Sequence, residues 1–148
     1  AAQKDGIELL EHSTHRRFSQ SEVNYNAKVD EYIKNGMSEE IAKKEAAKLI
    51  APPGYSEHNL GLATDIITKG FWNKYADLIP EFENDPGYTW LIENCAEYGF
   101  ILRYPKNKTI ITGIVYEPWH YRYVGKEAAK FIMDKNLTLE EFVANYTV

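Results

Sequence analysis

An acidic residue inside an apolar segment is the feature that most constrains the fold of this chain. Asp65 lies within residues 62–67, whose alternating pattern predicts a β-strand with apolar residues on either side of the acid. A carboxylate in such surroundings loses its hydration and requires a partner, which can be a metal ion. His58 lies shortly upstream, on a loop rich in proline and glycine. The two residues therefore predict a loop and a strand that share one buried polar site.

A second pair of metal-binding residue types occurs in residues 117–120, Glu-Pro-Trp-His. A hydrolytic zinc site needs three protein ligands, an open position for water, and a nearby carboxylate that moves a proton. We interpret His58, Asp65 and His120 as the ligands of one zinc ion. Glu117 would then be the base, held in place relative to His120 by the stiff proline and tryptophan between them.

Each of these residues also has an ordinary structural interpretation. A histidine near an aromatic residue is commonly a hydrogen-bonded structural side chain, and Asp65 alone could pair with Arg103 or Arg122. A Glu-Pro dipeptide is frequently part of a plain loop. The helical H-E-x-x-H zinc motif is absent from the sequence. Spacing alone therefore leaves both the zinc site and these structural roles open.

Composition limits the class of protein. A chain of 148 residues is expected to form one domain, and its net charge of −5 argues against nucleic-acid or anionic-membrane binding. It contains no apolar run near the ~18 residues that a membrane span requires. The polar start, residues 1–6, lacks a signal-peptide pattern and leaves export undecided. Cys95 is the single cysteine and is predicted to be a buried structural thiol.

The order of predicted elements indicates an α+β fold with a central antiparallel sheet flanked by helices. Strands are predicted at residues 6–13, 62–67, 100–104, 109–116 and 119–124. Helices are predicted from Ser19 or Ser21 to Lys34, from Ser38 to before Pro52, within 71–82, from Pro86 to Tyr98 with Gly99 at C′, at 126–134, and at 138–146. Ser38 is a predicted N-cap, and Thr138 forms a predicted capping box with Glu141.

Two motifs resemble a known family. Residues 56–65, Ser-Glu-His-Asn-Leu-Gly-Leu-Ala-Thr-Asp, match the S-x-H-x-x-G-x-A-x-D motif of the VanY-type D-alanyl-D-alanine carboxypeptidases. Residues 117–120 match the E-x-W-H motif of the same family, also called peptidase M15B or the LAS group of zinc peptidases. The similarity covers residues 13–125. It implies a single zinc peptidase catalytic domain over residues 1–148, with an LAS- or hedgehog-like fold and the zinc site in a cleft at the sheet.

The resemblance also implies roles for individual residues. His58, Asp65 and His120 would bind the single zinc ion, and Glu117 would be the catalytic base. Ser56 stands at the motif serine, which faces the substrate in this family; its alternative role is a loop-capping hydroxyl.

The substrate carboxylate is expected to meet an arginine upstream of these motifs. The family usually carries an S-G-Y-R-S-like stretch whose arginine receives the C-terminal carboxylate of the peptide. Residues 13–18 read Ser-Thr-His-Arg-Arg-Phe, so Arg16 is the matching residue and Arg17 is its competitor. Arg103 is a further candidate, either near the substrate oxyanion or paired with an acid that holds the sheet. Arg122 is predicted to be structural.

The expected function is hydrolysis of the terminal D-Ala-D-Ala bond of peptidoglycan stem peptides or their precursors by a zinc-dependent D,D-carboxypeptidase. The alternatives are an L,D-carboxypeptidase or a D,D-dipeptidase with the same zinc site, and a non-catalytic, zinc-stabilised cell-wall-binding module. The expected location is the bacterial cell envelope or the medium, with the cytoplasm as the alternative, and the expected state is a monomer. Antibiotic resistance and routine wall trimming are both compatible with this chemistry.

Overall fold

A computed structural model describes residues 1–146 of the chain. The strands are β1 (Leu9–Ser13), β2 (Ala63–Thr68), β3 (Phe100–Leu102) and β4 (His120–Tyr123). The helices are α1 (Phe18–Lys34), α2 (Glu39–Ala46), α3 (Lys69–Tyr75), α4 (Pro86–Asn94), α5 (Thr109–Thr112), α6 (Lys126–Asp134) and α7 (Leu139–Tyr146). None of the helices in this part of the chain is long and apolar enough to cross a bilayer.

The four strands form one sheet in the order β1-β2-β4-β3, with every neighbouring pair antiparallel. The helices lie before, between and after the strands, so the predicted α+β fold with a central antiparallel sheet is confirmed. The two central strands carry the last residues of the two sequence motifs, Asp65 on β2 and His120 on β4. This topology brings residues that are far apart in sequence onto adjacent strands.

The register between β2 and β4 determines which side chains meet. Asp65 is the direct partner of His120, so both side chains lie on the same face of the sheet. Tyr121, the next residue on β4, points to the opposite face and is fully buried in the main core. One face of the central strands is therefore polar at this point, and the other is part of the hydrophobic core.

The main core packs side chains of the sheet against α3, α4 and the short turns beside them. Its buried members are Ile67, Phe71, Phe82, Leu91, Cys95, Leu102 and Tyr121. The predicted burial of Cys95 is confirmed, and burial raises the pKa of its thiol to about 12. Smaller clusters join α1 to α2 and β3 to α6. Apolar burial of this kind is the main force that holds the sheet in place.

Two of the predicted helix caps are confirmed. The Ser38 hydroxyl accepts a hydrogen bond from Ile41 N at 3.4 Å, and α2 begins at the next residue. Thr138 and Glu141 form a reciprocal capping box at α7, with bonds of 2.7 and 3.1 Å. The predicted serine cap of α1 is wrong, because that helix begins at Phe18 and buries Ser21 inside its first turns.

The predicted strand at residues 109–116 is also wrong. Residues Thr109–Thr112 form the short helix α5, which Gly113 ends in the left-handed conformation. Ile110 is fully exposed, so the β-branched run that suggested a strand has no buried face. The backbone after it bonds to other segments, with Val115 N donating to Lys48 O at 2.9 Å. The strand that pairs with β3 is instead β4.

Gly99 allows a stability prediction. Its φ is +84°, and a Cβ there would lie 2.7 Å from the Tyr123 ring and 3.2 Å from the Gly125 carbonyl carbon. Gly113 also has a positive φ, +75°, but nothing lies within 4 Å of its Cβ position. We expect Gly113→Ala to lower the free energy of unfolding by about 1–2 kcal/mol through backbone strain alone. Gly99→Ala should cost about 1–3 kcal/mol more because of the added overlap.

Urea unfolding of the two variants beside the wild type measures this difference. Equal losses in the two variants would show that the space around Gly99 does not constrain the junction of β3 with the segment before it.

Candidate metal centre and active site

Three buried side chains converge on one point beside the sheet. One donor atom each of His58, Asp65 and His120 lies within 4.8 Å of the other two. His58 Nε2 is 3.3 Å from Asp65 Oδ2, and His120 Nδ1 is 3.0 Å from Asp65 Oδ1. Two imidazole nitrogens and a carboxylate oxygen are a donor set that zinc prefers. The group therefore fits one metal ion, and two of its members, His58 and His120, line a cleft.

Different elements position the three side chains. His58 lies in the short 3-10 turn Glu57–Leu60, and Asp65 and His120 are register partners on β2 and β4. His58 Nδ1 lies 2.6 Å from Thr14 O. A carbonyl oxygen only accepts, so Nδ1 must carry the proton and Nε2 presents its lone pair to the centre. The backbone at Thr14 thus orients His58 as a ligand.

The ionised carboxylate of the three-residue group favours a positive charge beside it. Burial opposes ionisation of Asp65, but the hydrogen bonds and charges of His120 and His58 outweigh it and hold its pKa well below the usual range. Burial likewise opposes a charge on His120, yet the neighbouring carboxylates of Asp65 and Glu57 raise its pKa to about 9. Without a metal ion, a proton on His120 therefore supplies a positive charge beside the carboxylates of Asp65 and Glu57.

Glu117 lies beside the three ligands without belonging to them. Its Oε2 is 3.8 Å from His120 Nδ1, and its side chain is only 12% exposed. Burial raises the pKa of Glu117 to about 7, the charge of Asp65 adds to the rise, and the charges of His120 and Arg16 oppose it. A carboxyl group with a pKa near neutrality can both accept and release a proton, as a general base and acid must.

The group opens onto a cleft of about 430 Å³. Its wall combines charged, aromatic and aliphatic side chains, among them Arg16, Ser56, Tyr104, Tyr116, Glu117 and Trp119. Ser56 is the cap residue of the Glu57–Leu60 turn, but its hydroxyl makes no capping bond. The alternative role of Ser56 as a loop cap is therefore not supported, and its hydroxyl stays available to the cleft.

The structure distinguishes Arg16 from Arg17. Arg16 lines the cleft, where its Nη2 is 3.2 Å from Ser13 Oγ and 3.8 Å from Asp65 Oδ2. Its backbone is clamped by the motif turn, since Arg16 N donates to His58 O at 3.1 Å and Asn59 Nδ2 donates to Arg16 O at 2.7 Å. Arg17 is exposed at the start of α1. Of these two arginines, Arg16 lines the cleft and Arg17 does not.

Arg103 does not line the cleft. Its Nε donates to Glu57 at 2.8 Å, and its two terminal nitrogens donate to Glu140 at 3.0 and 2.6 Å. Every nitrogen of the guanidinium is thus paired with an acid, which is the alternative role predicted for Arg103, whereas its contact with a substrate stays a prediction. Arg122 also pairs with Glu57, at 2.8 Å. Neither arginine is the partner of Asp65.

Sequence reasoning assigned no role to Glu57. It occupies a variable position of the S-x-H motif, so the motif itself gives no reason to single it out. The available signal was an acid adjacent to a predicted ligand in a chain with two arginines expected near the sheet. That signal does not identify the pairing without the fold.

A sheet that presents a His-Asp-His group with a separate buried glutamate beside a cleft has the arrangement of a hydrolytic metal centre. The family model for VanY, D-alanyl-D-alanine carboxypeptidase, matches residues 1–126. The chain belongs to this family, and its zinc-peptidase-like α+β fold agrees with that of solved relatives.

Two relatives show how similar this chain is to named members of the family. A D-alanyl-D-alanine carboxypeptidase of Enterococcus faecalis is 43% identical over 97% of this chain and 50% of its own length. The chain thus spans about half the length of the curated relatives it matches. VanYB in complex with D-alanine-D-alanine has a TM-score of 0.86 and 42% identity, over 99% of this chain and 76% of that one.

Two further solved structures bear on the metal and on specificity. A vancomycin-resistance D,D-pentapeptidase VanY in complex with Zn(II) has a TM-score of 0.80 at 42% identity, over 96% of this chain and 75% of its own. The LD-carboxypeptidase LdcB has a TM-score of 0.81 at 40% identity, over 99% and 63%. The solved structures that resemble this chain thus include both a D,D-pentapeptidase and an LD-carboxypeptidase.

The three-residue group predicts stabilisation by zinc. At a free concentration ~100 times the dissociation constant, zinc should add about 2.7 kcal/mol and raise the melting temperature by roughly 5–10 °C. His120→Ala should lose most of this shift, because it removes one of three donors. His12→Ala is the matched control: His12 packs against Trp72 in a tilted arrangement, with ring centroids 4.5 Å apart, outside the group. Thermal unfolding with and without zinc measures the shift, and equal shifts in both variants would contradict the site.

Proposed function

We propose that the chain is the catalytic domain of a zinc-dependent D,D-carboxypeptidase that removes the terminal D-alanine from peptidoglycan stem peptides or their precursors. The observation that carries the proposal is the buried Glu117 carboxyl beside the His58, Asp65 and His120 group, with Arg16 in the same cleft. Residues 1–148 would form this single domain. The Zn(II) complex of the related D,D-pentapeptidase supports zinc as the metal.

His58, Asp65 and His120 would hold the zinc ion. When bound, zinc supplies a Lewis acid that activates water and polarises the scissile carbonyl. Glu117 accepts a proton from the attacking water and delivers it to the amine of the departing D-alanine. The raised pKa of Glu117, about 7, suits both halves of this transfer.

Arg16 would give the site its preference for a chain end. A guanidinium can bind a terminal carboxylate through two parallel hydrogen bonds, so the reactive bond would lie one residue from the C-terminus of the peptide. Ser56 would offer a hydroxyl to the same peptide from the cleft wall. The complex of VanYB with D-alanine-D-alanine supports a D-Ala-D-Ala terminus as the substrate.

If completed stem peptides are cleaved, the enzyme would act in the bacterial cell envelope or outside the cell. A cytoplasmic location would restrict it to precursors. The L,D-carboxypeptidase LdcB is nearly as similar as VanYB, so L,D specificity is the second candidate. A monomeric state stays a prediction.

Removing Glu117 separates catalysis from metal binding. We expect Glu117→Ala to lower kcat about 10²–10⁴-fold, because the proton shuttle is lost, while one zinc ion per chain is retained. The assay is release of free D-alanine from a stem pentapeptide ending in D-Ala-D-Ala, with zinc content measured in parallel. Glu97→Gln, an exposed acid paired with Lys130 at 2.9 Å, is the control and should keep full activity.

The same assay on three substrates tests the specificity. The wild-type chain is given the pentapeptide, a tetrapeptide with a single terminal D-alanine, and the free dipeptide, each with and without a zinc chelator. Chelator-sensitive release from the pentapeptide alone supports the proposal, and cleavage of the tetrapeptide or dipeptide shifts it to the sibling specificities. No release from any substrate by zinc-loaded protein favours the non-catalytic binding module.

The two adjacent arginines provide a matched pair for the carboxylate contact. Arg16→Ala should lower kcat/KM about 10–100-fold, the value of one or two lost charge-assisted hydrogen bonds. Arg17→Ala should change kcat/KM less than about twofold, since that side chain is exposed away from the cleft. Steady-state kinetics on the pentapeptide measures both, and a larger loss at Arg17 would reverse the assignment.

A further inference from the structure

Glu57 lies in a largely buried charge network behind the metal centre. Its side chain is 11% exposed, and one oxygen, Oε1, accepts from Arg103 Nε and contacts Arg122 Nη1, both at 2.8 Å. The two guanidinium groups therefore hold the Glu57 carboxylate from one side.

The other oxygen of Glu57 faces a metal ligand. Glu57 Oε2 and His120 Nε2 lie 3.7 Å apart, and both atoms are buried without a hydrogen-bond partner among the described residues. Buried polar atoms are rarely left unpaired, and these two are a donor and an acceptor that can pair with each other. A shift of under ~1 Å would complete a hydrogen bond between them.

That bond would determine which nitrogen of His120 carries the proton. A carboxylate only accepts, so Nε2 must donate, and Nδ1 is left to present its lone pair beside Asp65. His58 is oriented in the same way by Thr14 O, through its opposite nitrogen. We propose that Glu57 is a positioning residue that holds His120 in the tautomer and orientation required to bind the metal. The inference deepens the proposed metal centre and rests on it.

The network continues to the last helix. The two terminal nitrogens of Arg103 donate to the two oxygens of Glu140 on α7, which lies 37 residues further along the chain. The arginine that binds Glu57 is therefore itself held in place by α7. Arg103 also lies over the Tyr104 ring, at 4.9 Å, and that ring packs on His120 at a centroid distance of 4.9 Å. Helix α7, which lies beyond the family match at residues 1–126, thereby supports a metal ligand.

Metal affinity tests this role without reference to turnover. We expect Glu57→Ala to raise the zinc dissociation constant about 10–100-fold, the usual effect of removing a partner that orients a ligand histidine. Glu57→Gln keeps an acceptor oxygen and should recover part of the affinity. Glu97→Gln is the control and should bind zinc like the wild type. Competition with a chromophoric chelator measures the constants, and the visible spectrum of the cobalt(II)-loaded protein reports the ligand geometry.

A purely structural role would give a different result. It would lower the melting temperature of the metal-free protein while leaving zinc affinity and the cobalt spectrum unchanged, which would overturn the proposal. If Glu57→Ala does not fold, the zinc dissociation constant of Glu140→Gln is measured instead. Weaker zinc binding by Glu140→Gln supports the proposal, and unchanged binding overturns it. Tight zinc binding by a wild type that cleaves no peptide would overturn the peptidase function alone, and unchanged affinity in an active Glu57→Ala would overturn the positioning role alone.

Discussion

The buried carboxylate of Asp65 is the constraint on which the rest of the structure depends. An unpaired carboxylate at this depth would cost several kcal/mol, so the fold must bring cationic or metal partners to it. It does so through the β2–β4 register, which places His120 opposite, and through a turn that places His58 on its other side. The Asp65 carboxylate, which would destabilise the fold if it were buried without partners, is thereby placed where it can bind a metal ion.

The strands β2 and β4 contribute both to the hydrophobic core and to the candidate metal centre. Alternation along β4 sends Tyr121 into the main core and His120 to the metal centre, so core packing fixes the position of the ligand. A slip of one residue in this register would exchange the two faces and bury a histidine among apolar side chains. The outer charges of Arg103, Arg122 and Glu140 then hold the ligand set from behind.

Local sequence patterns predicted much of this arrangement. Alternation and capping residues indicated the sheet and most helices, and two motifs indicated the ligand group. The strand predicted at 109–116 failed because β-branched residues mark a strand only where a buried face and a pairing edge exist, and Ile110 has neither. The Glu57 and Glu140 pairs with Arg103 join residues 46 and 37 positions apart, so no local spacing could identify them.

The position of the bound metal ion is the most direct test of the site formed by His58, Asp65 and His120. Crystals of the zinc-loaded protein can be measured at the zinc absorption edge, where an anomalous difference map locates the ion. We predict one full peak, about 2.0–2.2 Å from His58 Nε2, an Asp65 oxygen and His120 Nδ1, with Glu117 outside the ligand set. A peak elsewhere, or coordination through His120 Nε2, would contradict it.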